Sequence, residues 1–327
     1  MSFSSEVKEE LSRQLSLARH CQIAELAAII SFCGQIKQYG INRYFLKIHT
    51  ENITVARKYF TLLQKTFNIK TDVAIKRNAY LKKSRTYIVA VDGFEDTLRL
   101  LKVTKFVDDD GQIINVNGPA SNLIVQSACC KRSFIRGAFL ASGSISDPEK
   151  FYHLEIVCTS AEKAEQLRHM INTFSMEAKI VTRKKYYVVY IKEGNQIVDL
   201  LNIMEAHKAL MNLENVRILK EMRNSINRQV NCETANINKT VSAAVEQIND
   251  ITYVKEKIGF ANLPAGLEEI ALARLAMPEA TLKELGEALD PPVGKSGVNH
   301  RLRKLKNIAD SIRENKEDNY DFENYYN

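Results

Sequence analysis

The hydrophobic pattern of the first two thirds of the chain repeats one order of elements. The first copy has a small-residue apolar helix that ends in a glycine, then strand, helix and two β-rich runs, at 26–34, 43–49, 53–67, 70–75 and 86–91. The second copy follows the same order at 135–143, 153–158, 161–174, 178–182 and 186–191. This recurrence predicts a duplicated α+β domain over 1–210, with repeats at about 20–102 and 131–202.

Small residues in the two glycine-terminated helices predict that these helices pack against each other. They would allow close backbone approach along a pseudo-twofold axis, and they are Ala27, Ala28, Gly137, Ala138 and Ala141. Taken singly, each segment is more typical of an ordinary amphipathic core helix. The recurrence of the whole element order favours the paired arrangement.

The last third of the chain has a helical pattern throughout. Residues 211–238 are interpreted as a basic helical connector that ends in an asparagine-rich linker at 231–238. Residues 239–313 are predicted to form an all-α domain. The segment 314–327 is rich in acidic residues and is predicted to be disordered.

A helix-turn-helix is predicted at about 275–308. Thr281 and Glu284 have capping-box spacing, and they precede a short helix whose inward residues are Leu282, Leu285 and Leu289. The turn 290–294 contains two prolines, which prevent the helix from continuing. A second helix then begins at Lys295. Short helix, tight turn and basic helix is the arrangement of DNA-binding helix-turn-helix motifs.

Helical periodicity separates two faces of this second helix. Val298, Leu302 and Leu305 lie on one stripe and are predicted to pack inward. The predicted base-facing residues are Ser296, Asn299, His300 and Arg303. The predicted phosphate-facing residues are Lys295, Arg301, Lys304 and Lys306. The alternative is an amphipathic surface helix with a solvated basic face.

Charge and composition favour a DNA-binding protein of the cytoplasm. The net charge is +7, and five Lys and Arg residues but no acid lie between Lys295 and Lys306. The chain has neither a signal-peptide pattern nor an apolar run of membrane-spanning length. The six cysteines lack metal-site spacing, which is typical of a reducing compartment. We therefore predict double-stranded DNA as the partner, a nucleoid-associated location, and no metal, cofactor or membrane contact.

The two glycine-terminated helices resemble the paired LAGLIDADG motifs of homing endonucleases, over roughly residues 20–205. That resemblance implies a metal-binding acid one position before each terminal glycine. Cys33 and Ser142 stand there instead. A thiol and a hydroxyl lack the anionic oxygens that Mg²⁺ prefers, so the resemblance implies a domain without nuclease activity.

Basic residues fall at matching hairpins of the two repeats. They are Lys76, Arg77, Lys82, Lys83 and Arg85 in the first repeat, and Arg183, Lys184, Lys185 and Lys192 in the second. We interpret these clusters as a candidate secondary DNA surface that would contact phosphates without reading sequence. Solvated hairpin ends are an equally good interpretation.

Taken together, the duplicated domain and the helix-turn-helix resemble the WhiA family of bacterial regulators of sporulation and cell division. The stretches that carry the resemblance are 129–139, 227–236 and 282–305. It implies a role in cell division and chromosome segregation, with transcriptional regulation in some members. Other division or transcription proteins are further candidate partners.

Two alternatives to a non-enzymatic regulator are also compatible with the sequence. One is a metal-dependent DNA endonuclease with atypical ligands, for which Asp147 is the nearby carboxylate. The other is a protein-interaction scaffold whose DNA binding is incidental.

Overall fold

The computed structural model describes residues 2–40, 43–77, 85–114 and 118–314. The chain divides into two compact units between Glu221 and Met222. No helix in these described ranges is long and apolar enough to cross a bilayer. The acidic segment 315–327 lies outside the described residues, so its predicted disorder stays a prediction.

The first unit confirms the duplicated α+β fold. Its N-terminal half contains α1 Phe3–Arg13, α2 Arg19–Cys33, β1 Gly34–Gly40, β2 Arg43–Thr50, α3 Ile53–Phe67, β3 Thr71–Arg77, β4 Arg85–Val91 and α4 Phe94–Val103. Its second half contains α5 Ala128–Ser142, β5 Gly143–Ile145, β6 Leu154–Cys158, α6 Ala161–Asn172, β7 Lys179–Arg183, β8 Tyr186–Ile191 and α7 Gly194–Met204. The two antiparallel sheets have matching strand orders, β1-β2-β4-β3 and β5-β6-β8-β7.

The first strand of each sheet was missed by the sequence pattern. The sequence pattern interpreted Gly34 and Gly143 as helix ends. In the structure each glycine is the C-cap of its helix, has extended backbone, and is also the first residue of a strand. A side chain would obstruct this exit, because a Cβ on Gly34 would lie 2.4 Å from the Ile30 carbonyl oxygen. The same atom on Gly143 would lie 2.7 Å from the Phe139 carbonyl oxygen. Glycine thus lets the chain pass from helix to strand without a loop.

Helices α2 and α5 pack side by side, as their small residues predicted. Ala28 and Gly137 occupy equivalent positions in the two helices. A Cβ on Gly137 would lie 2.6 Å from the Glu25 carbonyl oxygen and 2.8 Å from the Ala28 Cβ. Real Cβ atoms do not come so close to backbone, so the two helices approach to a distance that requires glycine.

A buried ionic cluster crosses this helix pair. Glu25 is fully buried, and its Oε1 lies 3.0 Å from Lys58 Nζ. Arg136 donates to both carboxylate oxygens, from Nε to Oε1 and from Nη2 to Oε2, each at 3.1 Å. Lys58 and Arg136 are each 1% exposed. Arg136 also donates to Ser16 Oγ at 2.8 Å and pairs with Glu205. Burial lowers the pKa of Lys58, and the Glu25 carboxylate opposes that shift. The cluster therefore joins both repeats in the core.

The predicted linker at 231–238 is wrong, because helix α8 is continuous from His207 to Ile258. Asparagine is frequent in loops, and three asparagines in this segment suggested one. Asparagine costs only a few tenths of a kcal/mol more than the better helix formers, roughly, whereas glycine and proline are the strong breakers. The 52 residues of α8 contain neither glycine nor proline.

The second unit has a compact all-α core. Its other helices are α9 Ala265–Ala276, α10 Leu282–Glu287 and α11 Lys295–Arg313. The buried apolar side chains come from all four helices and include Ile251, Ile270, Leu285 and Leu302. Arg274 is also buried, and its Nη1 donates to the Ala280 carbonyl at 2.7 Å. This contact fixes the chain segment that leads into α10.

Candidate nucleic-acid interface

The capping box that begins α10 is confirmed. The Glu284 backbone N–H donates to Thr281 Oγ1 at 3.3 Å, and the Thr281 N–H donates to the Glu284 carboxylate at 2.7 Å. Leu285 and Leu289 are buried, while Leu282 is half-buried. Both exchanged bonds satisfy N–H groups that a helix start leaves without partners. The short helix is thereby anchored at its first turn.

The turn after α10 depends on Gly286, which the sequence pattern did not single out. The Val293 N–H donates to the Gly286 carbonyl at 2.9 Å. A Cβ on Gly286 would lie only 2.0 Å from the Val293 carbonyl oxygen. The absence of a side chain therefore allows the chain to fold back tightly before α11 begins.

Helix α11 has the two faces that its periodicity predicted. Val298, Leu302 and Leu305 are buried, and the stripe continues through Ile308 and Ala309. The four predicted base-facing side chains are all exposed: Ser296, Asn299, His300 and Arg303. The structure thus places these four residues on the solvent side of the helix, as a DNA-reading face requires. Their contacts with bases stay a prediction.

The predicted phosphate-facing residues do not share one environment. Lys295 is exposed, and Lys304 is half-buried. Lys306 pairs with Glu246 of α8 but remains accessible. Arg301 instead faces α9, where its Nη1 donates to the Gly266 carbonyl at 3.3 Å and lies 3.8 Å from the Glu269 carboxylate. This placement argues against Arg301 as a phosphate contact, because its guanidinium is already engaged within the domain.

A basic groove beside the start of α11 was missed by sequence reasoning. It is lined by residues of α8, α10 and α11 that include Lys239, Thr240, Lys283, Lys295 and Asn299. No acidic residue lines it among the described residues. Lys239 belongs to the groove only because α8 remains helical through the asparagine-rich segment. No spacing rule in the sequence brings 239, 283 and 295 together.

The C-terminal ends of α2 and α5 lack the carboxylates of the endonuclease motif. Cys33 and Ser142 are the last residues of these helices. The Cys33 thiol donates to the Ile29 carbonyl at 3.1 Å, and the Ser142 hydroxyl donates to the Val157 carbonyl at 2.8 Å. Burial raises the pKa of the Cys33 thiol to about 12, so the group is neutral at physiological pH.

A lysine interacts with this same end of the helix pair. The Lys8 Nζ lies 5.9 Å from the centre of the Phe139 ring in α5, and only a charged Cys33 would favour its cationic form. Burial lowers the pKa of Lys8 to about 8, which leaves the group mostly cationic at pH 7. A resident cation beside Cys33 opposes the binding of a divalent metal ion there.

Two carboxylates that follow α5 in the chain, Asp147 and Glu155, already have other partners. Asp147 is exposed, and its Oδ1 accepts from the Glu149 backbone N–H at 3.0 Å. The Glu155 carboxylate lies 3.1 Å from His153 and 3.3 Å from Arg183. A magnesium site needs hard oxygen ligands around one point. The residues present at Cys33 and Ser142 do not fit such a site.

Where the structure describes them, the basic residues lie at the β3–β4 and β7–β8 hairpins, except Lys192, which follows the far end of β8 and does not belong to the hairpin. Lys76 and Arg85 are exposed at the β3–β4 hairpin, and Lys82 and Lys83 lie outside the described residues. At the β7–β8 turn the exposed residues are Arg183, Lys184 and Lys185. Arg183 pairs with Glu155, whereas Lys192 lies over the Tyr190 ring at 5.2 Å.

Four potential metal ligands meet at the other end of the helix pair. The prediction of no metal site rested on the lack of clustered cysteine and histidine in the sequence. The fold brings such a cluster together, with all ligand atoms within 4.8 Å of one another, from His20, Cys21, Cys129 and Cys130. The premise of that prediction is therefore wrong, because the two pairs lie in different repeats and only helix packing joins them.

Comparison with known proteins gives matches along nearly the whole chain. Residues 19–107 match the WhiA N-terminal LAGLIDADG-like domain, 131–223 the WhiA LAGLIDADG-like domain, and 226–309 the WhiA C-terminal HTH domain. The chain is similar to the "Probable cell division protein WhiA" of Lachnoclostridium phytofermentans, at 56% identity over 96% of this chain and 100% of that protein. Its counterpart in Alkaliphilus oremlandii is 50% identical over 97% of this chain and 99% of that protein.

A solved structure supports the same assignment. Full-length DUF199/WhiA of Thermatoga maritima is 26% identical, with a TM-score of 0.58, and the match covers 95% of this chain and 98% of that one. Two LAGLIDADG-like domains followed by a helical helix-turn-helix domain are thus shared along the chain. This protein belongs to the WhiA family.

Proposed function

We propose that this protein is a DNA-binding regulator that contacts double-stranded DNA through α11. The observation that carries the proposal is the exposed face of α11, which presents Ser296, Asn299, His300 and Arg303 and has no acid between Lys295 and Lys306. A basic helix that follows a short helix after a tight turn is the arrangement that places the second helix in the major groove. The helix-turn-helix family match supports the same role.

Residue roles within this proposal follow from side-chain chemistry. Arg303 suits bidentate recognition of guanine, and Asn299 suits adenine. The groove lysines Lys239, Lys283 and Lys295 suit phosphates beside the recognition helix. Lys304 and Lys306 are further phosphate candidates. The hairpins that contain Arg85 and Arg183–Lys185 would form a secondary, sequence-independent phosphate surface.

The proposal extends to the cellular role. The similar proteins are named probable cell division proteins, and we assign this chain to cell division on that basis. Regulation of transcription and participation in chromosome segregation would act through the bound DNA. A cytoplasmic, nucleoid-associated location follows from that activity, with division or transcription proteins as further partners.

The LAGLIDADG-like domain is proposed to be non-catalytic. We expect the purified full-length protein to leave supercoiled plasmid intact with Mg²⁺ or Mn²⁺, because Cys33, Ser142 and the Lys8 ammonium offer no site for these ions. Agarose gels of plasmid incubated over time provide the measurement. Metal-dependent nicking that disappears in Asp147→Ala would contradict the proposal and support the endonuclease alternative.

The DNA-reading role is tested by selecting bound DNA from a random pool. We expect the full-length protein to enrich a defined motif. In the motif selected by Arg303→Ala, one or two positions should become less specific. The binding free energy for the preferred sequence should weaken by about 1–3 kcal/mol. The physical reason is the loss of bidentate hydrogen bonds to a base edge. Sequencing of the enriched pool and titration of the selected site measure both effects.

A matched control removes one positive charge elsewhere in the second unit. Lys255 of α8 is exposed and lies outside α11. Lys255→Ala should retain the motif and change only the salt-dependent, sequence-independent affinity. Equal loss of motif definition in both variants would show that Arg303 contributes only charge. Failure of the wild type to enrich any motif would favour the scaffold alternative.

A further inference from the structure

The cluster at the N-terminal ends of α2 and α5 has the ligand composition of a structural metal site, in which the protein supplies all four ligands. His20 and Cys21 are the second and third residues of α2, and Cys129 and Cys130 are the second and third residues of α5. Three cysteines and one histidine match the ligand set of structural zinc sites. The two repeats thus contribute two ligands each, from equivalent helix positions.

The distances within the cluster approach those of tetrahedral coordination. His20 Nδ1 lies 3.2 Å from Cys130 Sγ and 3.4 Å from Cys21 Sγ. All four ligand atoms lie within 4.8 Å of one another. Around one Zn²⁺ ion, two sulphurs stand about 3.8 Å apart, and a sulphur and a nitrogen about 3.6 Å. Small side-chain adjustments would therefore bring all four atoms onto a single ion.

The cluster lies at the N-termini of both helices, and burial raises the pKa of its Cys21 and Cys130 thiols. The N-cap of α2 is Ala18, which has no capping group, and the side chain of the α5 N-cap, Ser127, makes no capping hydrogen bond. The Cys21 backbone N–H donates to the Ala18 carbonyl at 3.0 Å, so the helix ends act on the sulphurs through their dipoles, which favour the negative charge that a thiolate ligand carries. Cys21 and Cys130 are buried, while His20 and Cys129 are exposed, which leaves the site open to metal from solvent.

We propose that this cluster is a structural site for Zn²⁺ that joins the two repeats through the first turns of α2 and α5. Each of the three thiols releases its proton to solvent as its sulphur binds the ion. His20 binds through the unprotonated Nδ1 lone pair, and no electron transfer takes place. The ion is borderline-soft and prefers this nitrogen and sulphur set to the oxygen ligands of the nuclease metal.

The site lies at the opposite end of the helix pair from Cys33 and Ser142. In this arrangement one end of the pair lacks the acids of the endonuclease motif, and the other end holds a metal for stability. If Zn²⁺ binds only the folded state, the free energy of unfolding should increase as the zinc concentration increases. The LAGLIDADG-like fold would thus use a metal as a crosslink and not as a catalyst.

The experiment uses tag-free full-length protein, reduced with a phosphine and freed of metal by a chelator. We titrate it with Co²⁺ and record the absorption spectrum, then add Zn²⁺. We expect thiolate-to-cobalt charge-transfer bands and tetrahedral d–d bands that saturate at one ion per chain and vanish when Zn²⁺ displaces Co²⁺. Zn²⁺ should also raise the Tm of the wild type.

Variants distinguish this site from adventitious binding. Cys129→Ser and His20→Gln alter exposed ligands, so the core stays filled. Loss of a partner that only supports a ligand costs about tenfold in affinity or more, so we expect loss of a ligand itself to weaken Co²⁺ binding at least as much. Cys232→Ser removes an exposed cysteine of α8 and is the matched control, with unchanged binding. Absence of charge-transfer bands in the reduced wild type would overturn the proposal. So would equal weakening by Cys232→Ser.

Discussion

Replacement of Glu25 by glutamine is expected to lower the free energy of unfolding by about 3–5 kcal/mol. Glu25 is fully buried and is the common partner of Lys58 and Arg136, both of which are 1% exposed. Glutamine keeps the shape of the side chain but removes its charge. Two buried cations would then face each other without the anion between them, and neither could recover its hydration.

Urea unfolding of the full chain, followed by far-UV circular dichroism, measures the effect. Glu205→Gln is the matched control, because Glu205 pairs with the same Arg136 but its side chain is 47% exposed. Water replaces an exposed partner, so this variant should lose only about 0–1 kcal/mol. Equal losses in the two variants would show that burial of Glu25 is not what makes the cluster important.

A methyl group on Gly137 is expected to destabilise the protein by about 1–3 kcal/mol, at the upper end of that range. The added Cβ would lie 2.6 Å from the Glu25 carbonyl oxygen and 2.8 Å from the Ala28 Cβ. The first contact is with backbone, so the two helices must move apart to relieve it. In an unobstructed helix the same change would stabilise by roughly 0.5–1 kcal/mol, so a loss would identify the close approach as its cause.

Gly40→Ala provides the comparison for Gly137→Ala. Gly40 lies at the exposed end of β1, and nothing stands within 4 Å of a Cβ built there. Its variant should unfold within about 0.5 kcal/mol of the wild type, as most surface substitutions do. A Gly137→Ala protein as stable as Gly40→Ala would mean that α2 and α5 can separate at little cost.

The sequence predicted elements whose evidence lies within a few neighbouring residues. The capping box at Thr281 and Glu284, the inward stripe through Val298, and the bounds of α3 at 53–67 all follow from local spacing and are confirmed. Local evidence also misled at 231–238, where asparagines suggested a loop. Helix α8 continues there because asparagine weakens a helix far less than glycine or proline does.

The candidate sites were likewise predictable only where their evidence is local. The exposed face of α11 was predictable, because all its residues belong to one helix of known period. The internal engagement of Arg301 was not, because it depends on the position of Gly266 in another helix. The basic groove around Lys239 likewise needs three helices in place. Such contacts join residues far apart in the chain, and periodicity carries no information about them.

The paired helices α2 and α5 illustrate both what the local sequence predicts and what it does not. The sequence by itself determined that two small-residue helices recur, that they would pack together, and that Cys33 and Ser142 stand where acids were expected. Only the tertiary structure decided what lies along that pair: the Glu25 cluster in its middle, Lys8 beside one end, and four sulphur and nitrogen ligands at the other. The physical reason is that close packing of α2 and α5 brings residues more than a hundred positions apart to within a few ångströms. Local sequence patterns specify each helix, but not its neighbours.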